Sequence, residues 1–170
     1  MEKRVEMNDS NALRQLGIIH SGGRSGLPQN YNKANKLWRR AGKLGNAEAY
    51  YNLAGSYLYG RGVVIDEEKA RYYYEIAAIG GSVLSRHNLG YFESEAGNMK
   101  TATKHFMIAA GAGYDLSLKA IRQGFMNGHV TKDDFEKALR AHKAANDEMK
   151  SGQREEAAAV LASFGAGQWR

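Results

Sequence analysis

Five histidines, at positions 20, 87, 105, 129 and 142, are the side chains of this 170-residue sequence best suited to metal ligation or proton transfer near neutral pH. No two of them stand four residues apart, so none form the paired helical ligands of a metalloprotease site. The sequence has no Cys, which excludes disulfides and thiolate metal sites together. No Ser is followed three residues later by Lys, and no glycine-rich phosphate loop ending in Lys-Ser/Thr occurs. Asp133 and Asp134 offer adjacent carboxylates, but behind Thr131 at a helix start they read as capping charges. No catalytic residue, metal ligand or cofactor is expected, and the chain reads as a non-enzyme.

Charge is the chemistry that remains. The net charge of +6 sits entirely in residues 1–61, with ten Lys/Arg against four acids, whereas residues 62–170 carry fourteen of each sign. Lys33, Lys36, Arg39, Arg40 and Lys43 form a run with no acid among them, and Lys36, Arg40 and Lys43 share one helical face by their spacing. A solvated outer face is the plain reading of this basic patch. Its alternative is a docking patch for phosphate or for an acidic partner. The balanced charge of the remaining residues speaks against nucleic acid, because the positive field does not run the length of the chain.

The elements that must position these residues follow from a repeat. Lys33-Ala34, Lys69-Ala70, Thr101-Ala102 and Lys137-Ala138 recur at intervals of 36, 32 and 36 residues. Each Ala is followed seven residues later by another, at Ala41, Ala77, Ala109 and Ala145, and in three copies a Gly comes four residues after that, at Gly45, Gly81 and Gly113. Ala49, Leu53 and Tyr57 make a four-residue apolar stripe on a helix from about Asn46 to Tyr59, stopped by Gly60 and Gly62. Asp66, Glu67 and Glu68 open the next helix, which carries Ala70, Tyr73, Tyr74, Ala77 and Ala78. The other units show the same layout, with Ala12, Leu16, Gly17 and His20 in the first, Ser85, Leu89, Gly90 and Glu93 in the third, and Ser117, Ile121 and Phe125 in the fourth. Units of this length with two helical halves predict an all-α, α/α superhelical solenoid of about four helix-turn-helix repeats. The expected repeats are 10–45, 46–81, 82–113 and 114–150, forming a domain over 1–150. Residues 151–170 are expected to add a short capping helix around 153–163 and a mobile tail from Phe164, with Trp169 unplaced.

The remaining composition sets bounds. One Pro, 43% hydrophobic and 25% charged residues describe a chain that folds, not a disordered one. No apolar run approaches the roughly 20 residues that a membrane span needs. The charged start MEKRVEMNDS lacks the apolar centre of a secretory signal, so a cytoplasmic location is expected.

At these residues the chain resembles the Sel1-like repeat family of tetratricopeptide-related hairpin solenoids. The family pattern of Ala-x-Ala-x-x-x-Leu-Gly, Tyr, Gly-x-Gly-Val, an acidic loop, Lys-Ala, an aromatic, Ala-Ala and Gly is matched by the second unit from Ala47 to Gly81, with Ala54 in place of one Gly. The first unit matches at Leu16-Gly17 and over 26–34, and the third at Leu89-Gly90 and Ala109-Ala110. The resemblance implies a non-catalytic protein-protein interaction scaffold or adaptor that binds a protein or peptide, with no small-molecule substrate.

By analogy with tetratricopeptide arrays, the first helix of each hairpin lines the concave groove. The column two residues before the motif Leu is then Arg14, Tyr51, His87 and Lys119, and the column two after it is Ile18, Gly55, Tyr91 and Gln123. The first column suits an acidic segment through charge-assisted hydrogen bonds and stacking. Its alternative is that some of these side chains, Tyr51 among them, pack between repeats. The competing function is contact with nucleic acid or an anionic membrane through the basic N-terminal half.

Overall fold

Short polar side chains decide where the helices of this protein begin. In the computed structural model, which describes residues 7–23 and 26–165, Asp9 accepts from the Ala12 backbone N–H at 3.0 Å and Asn30 from that of Lys33 at 2.9 Å. Asn46 does the same for Ala49 at 3.0 Å, Asp66 for Lys69 at 2.9 Å and Ser82 for Ser85 at 3.3 Å. Each such bond satisfies an amide that the helix itself leaves unpaired, typically worth about 1 kcal/mol. The helices so started are α1 (Ser10–Gly22), α2 (Tyr31–Lys43), α3 (Ala47–Tyr59), α4 (Glu67–Ile79) and α5 (Val83–Glu95). They are followed by α6 (Met99–Gly111), α7 (Asp115–Met126) and α8 (Lys132–Gly165), with no strand among the described residues. The architecture is the expected all-α repeat array.

The recurring Ala-to-Gly interval has a backbone cause. Gly45, Gly81 and Gly113 adopt φ of 87°, 93° and 84°, a left-handed conformation that disfavours any side chain. The residue after each Gly donates its N–H back to the repeated Ala: Asn46 to Ala41 at 3.1 Å, Ser82 to Ala77 at 2.9 Å and Tyr114 to Ala109 at 3.1 Å. This is the Schellman closure, and it turns the chain directly into the next repeat's first helix.

By compactness the chain divides into two units, Met1–His105 and Phe106–Arg170, with the division inside α6. In the first unit α1 packs on α2, α2 on α3, α3 on α4 and α4 on α5. One core cluster holds Leu13, Ala34, Trp38, Ala41, Ala49 and Leu53, and a second holds Ala54, Ala70, Tyr74, Ala78 and Leu89. Each draws on two successive hairpins, so no hairpin buries its apolar face alone. Gly17 and Gly42 make the approach possible. A Cβ on Gly17 would lie 2.4 Å from Trp38 Nε1, and one on Gly42 would lie 2.5 Å from the Tyr50 ring. The Trp38 indole N–H then donates to the Arg14 carbonyl at 3.2 Å. Between hairpins two and three, the buried Glu93 carboxylate is held by Arg71 and by Asn98 Nδ2 at 2.9 Å.

Leu16, expected in the core, is only half-buried, and Leu13 occupies the core instead. Leu53, the corresponding residue of the second unit, packs against Trp38 of the preceding hairpin.

In the second unit α7 packs on α8, burying Ser117, Ile121, Val130 and Ala138. The Phe125 and Phe135 rings stack at 4.9 Å, and His142 Nε2 lies 2.9 Å from Asp115 Oδ1. Thr131 and Asp134 form the expected capping pair, with the Asp134 N–H on Thr131 Oγ1 at 3.1 Å. A separate helix at 153–163 does not occur. The position four residues after Ala145 is Met149, not Gly, so no left-handed residue ends the helix and α8 continues for 34 residues. Residue 150, the expected domain limit, falls inside α8. The side chains from Phe164 onward and Trp169 lie outside the described residues.

Leu53→Ala is expected to cost about 2–5 kcal/mol in urea unfolding, as a fully buried seam residue. Gly17→Ala is expected to destabilise by on the order of 1 kcal/mol despite the better helix propensity of Ala, because the indole must move. Burial pushes the Tyr74 phenol up to about 12 from the ordinary 10.0. Below pH 10 both folded and unfolded chains keep that proton, and as pH rises towards about 12 the unfolded chain ionises first and stability is lost. Tyr74→Phe is expected to flatten this part of the stability-pH profile.

Candidate functional site

The helix α3 carries side chains that shape a concavity of the first unit. Tyr51, Gly55 and Tyr59 follow one another at four-residue steps on one face, with Asn52 and Ser56 beside them. Together with Ile18 and Ser21 of α1 and Asn88 of α5 they line a cleft of about 530 Å³. Its floor is the Trp38 and Tyr74 rings, the same rings that fill the seams between hairpins. Gly55 keeps it open, since a Cβ there would meet only the Tyr74 hydroxyl, at 3.9 Å.

The cleft's cation is Arg61. It stands between Gly60 and Gly62, whose φ of 67° and 69° fold the loop back so that Gly62 lies against Tyr31. Asn35 Nδ2 pins that loop by donating to the Arg61 carbonyl at 2.8 Å. The guanidinium lies 5.0 Å from the Tyr59 ring centroid and has no carboxylate partner among the described residues. Asn52 and Asn88, one repeat apart, supply amide donors and acceptors. Asn88 hydrogen-bonds the Tyr74 hydroxyl, which burial keeps protonated.

A second cleft of about 450 Å³ shares Tyr59 and Asn88 with the first and extends it along α5, past Tyr91 and Phe92, to Glu67 and Glu95. The first cleft thus holds a cation, Arg61, and the second two carboxylates, Glu67 and Glu95.

Of the two expected columns, Ile18, Tyr51 and Gly55 line the first cleft and Tyr91 lines its extension. Arg14 is half-buried and lines neither; its backbone carbonyl serves Trp38. His87 is a correction to the expected donor column. Its ring is 6% exposed and sits edge-on to Tyr91 at 4.9 Å. Burial lowers its pKa, so it brings no positive charge at neutral pH. Lys119 and Gln123 belong to the second unit, where Lys119 borders a different groove and Gln123 Nε2 donates to Asn127 Oδ1 at 3.0 Å. Asn52, Asn88, Tyr59 and Arg61 are the cleft residues that the column argument misses. The 36-residue interval between the two asparagines was the available signal.

The basic run is partly gathered. Lys36, Arg39, Arg40 and Lys43 surround Leu44 and Asn8 in a shallow depression of about 360 Å³, and Lys33 is not among its lining residues. Arg40 Nε donates to Asn8 Oδ1 at 2.8 Å, and Arg39 Nη2 donates to the Tyr57 hydroxyl at 3.0 Å. The carboxylates weighed for catalysis are occupied: Asp133 pairs with Lys137 at 2.6 Å and Asp134 caps α8. Among the described residues no cluster of three His, Asp or Glu side chains stands close enough to hold a metal ion, and no helix is long and apolar enough to cross a membrane.

The Sel1 repeat signature matches residues 10–46 and 47–82, the α1–α2 and α3–α4 hairpins. A Sel1 repeat protein from Oxalobacter formigenes superposes with a TM-score of 0.74 at 25% identity, over 86% of this chain and 62% of that one. A protective antigen of uropathogenic Escherichia coli with an SLR fold gives a TM-score of 0.74 at 26% identity, over 86% of this chain and 32% of that one. Chitin synthase regulatory factor 4 of Schizosaccharomyces pombe is 28% identical over 120 residues, 70% of this chain. This chain spans 19% of the length of that curated relative. The hairpins α1–α2 and α3–α4 are therefore two adjacent Sel1 repeats, and the chain has the all-α repeat fold of the Sel1 proteins.

Proposed function

We propose that this chain is a non-catalytic adaptor that grips an extended segment of a partner protein in the cleft formed by α1, α3 and α5. Sel1 repeat proteins generally mediate protein-protein interaction, and the yeast relative is named as a regulatory factor, a role that suits an adaptor. The observation that carries the reading is the set of Asn52, Asn88, Tyr51, Tyr59 and Arg61 around one cleft. Asparagine amides offer a donor and an acceptor, the pair that an extended peptide unit presents in return. The tyrosine rings add stacking area at low entropic cost. Arg61 favours an acidic residue in the first cleft, while Glu67 and Glu95 favour a basic or polar residue in the second. The expected groove residues Arg14, His87, Lys119 and Gln123 have no part in this version of the site; Ile18, Tyr51 and Tyr91 do.

The basic depression on α2 supports a second reading, contact with nucleic acid or an anionic membrane through Lys36, Arg39, Arg40 and Lys43. Four phosphate contacts on a duplex would make log K fall against log salt with a slope of roughly −3.6, whereas the cleft would respond mildly.

Selection of a random peptide library on the full chain tests the adaptor reading. Selected peptides are expected to carry an acidic residue, and Arg61→Ala is expected to weaken them by about 10-fold or more. Gly55→Leu is expected to abolish binding without lowering the unfolding midpoint, because the new side chain enters the open cleft. Selected peptides whose affinity both variants leave unchanged would refute the cleft as the site.

A further inference from the structure

The second unit carries its own apolar groove, separate from the cleft of the first. Helices α7 and α8, joined by residues 127–131, leave between them a trough of about 540 Å³. Leu118, Phe125 and Met126 of α7 and Phe135 and Leu139 of α8 line it, and Met126 is 70% exposed. The Phe125 and Phe135 rings stack along it, and Gly124 lies against the buried Val130, where a Cβ would lie 2.7 Å from that side chain. Two ridged helices flanking an apolar trough are the setting in which a third helix buries its apolar face.

The charges around the trough are one-sided. Lys119 and Arg122 stand three residues apart on α7 and border it, and neither has a carboxylate partner among the described residues. The carboxylates of the first two turns of α8, those nearest the trough-lining Phe135 and Leu139 in sequence, are already engaged. Glu136 is paired with Lys132 at 3.8 Å and Arg140 at 3.6 Å, Asp133 with Lys137, and Asp134 with Thr131. On α7, Asp115 lies against His142.

We infer that the α7–α8 trough is a docking site for an acidic amphipathic helix of a partner protein, which buries its apolar face on Phe125, Met126 and Leu139 and sets carboxylates against Lys119 and Arg122. The site is independent of the α1–α3–α5 cleft.

Fluorescence anisotropy with the full chain tests this, using a synthetic helix of about 18 residues with Leu on one face and Glu on the other, and a twin with Lys for Glu. The Glu helix is expected to bind at least about 10-fold more tightly than its twin, and the double variant K119E/R122E is expected to invert that preference. Met126→Glu is expected to weaken the Glu helix about 10-fold or more with an unchanged circular-dichroism melt, and Gly55→Leu to leave it unaffected. The inference is overturned if K119E/R122E binds the Glu helix as well as the parent chain does. It is equally overturned if no binding is seen at concentrations on the order of 1 mM. Sedimentation showing that the chain self-associates and that Met126→Glu abolishes it would assign the trough to a second copy instead.

Discussion

Trp38 lies so close to Gly17, and Tyr50 so close to Gly42, that one added carbon at either glycine would overlap a ring. These two contacts govern much of the first unit. Glycine removes the bulk that would hold α1 from α2 and α2 from α3, and a large aromatic ring fills the space gained. Tyr73, stacked at 5.7 Å on Tyr50 and 5.6 Å on Tyr57, extends the arrangement to α4. Because dispersion and apolar burial fall off steeply with separation, such close approach is where an array of short helices gains its cohesion.

The cleft is a by-product of the same geometry. Helices brought together on one side by small residues leave room on the other, and α3 places no side chain at position 55 to fill it. What remains is a concavity with an aromatic floor and amide walls. Its charge comes from a loop and not from a helix. Arg61 is positioned by two left-handed glycines and an asparagine from α2, so the recognition chemistry rests on backbone conformation as much as on the helical face.

The spacing of residues foretold the array, and at Gly45, Gly81 and Gly113 it foretold the turns, because a left-handed closure leaves a compositional trace. It did not foretell how the array ends, since the sequence points to a separate helix over 153–163 and none occurs. Met149 stands where a fourth closing Gly would be, and α8 runs on. The site was less legible. Adjacent residues on a helix are 100° apart, so choosing a column one residue away separates a wall from a core, and His87 fell on the buried side while Asn88 fell on the open one. Arg61 belongs to no column. Its place depends on a loop held by Asn35, a contact across 26 residues that periodicity does not encode.

Trp38 and Tyr74 face two ways, into the joints between hairpins and onto the floor of the cleft. A guest resting on them therefore touches the mortar of the array itself. Affinity for that guest and the cohesion of α1 to α5 become two readings of one free energy, so occupancy raises resistance to melting in proportion to the logarithm of guest concentration. Loosening a joint far from the guest would be felt as weaker grip, with no change to any residue the guest meets.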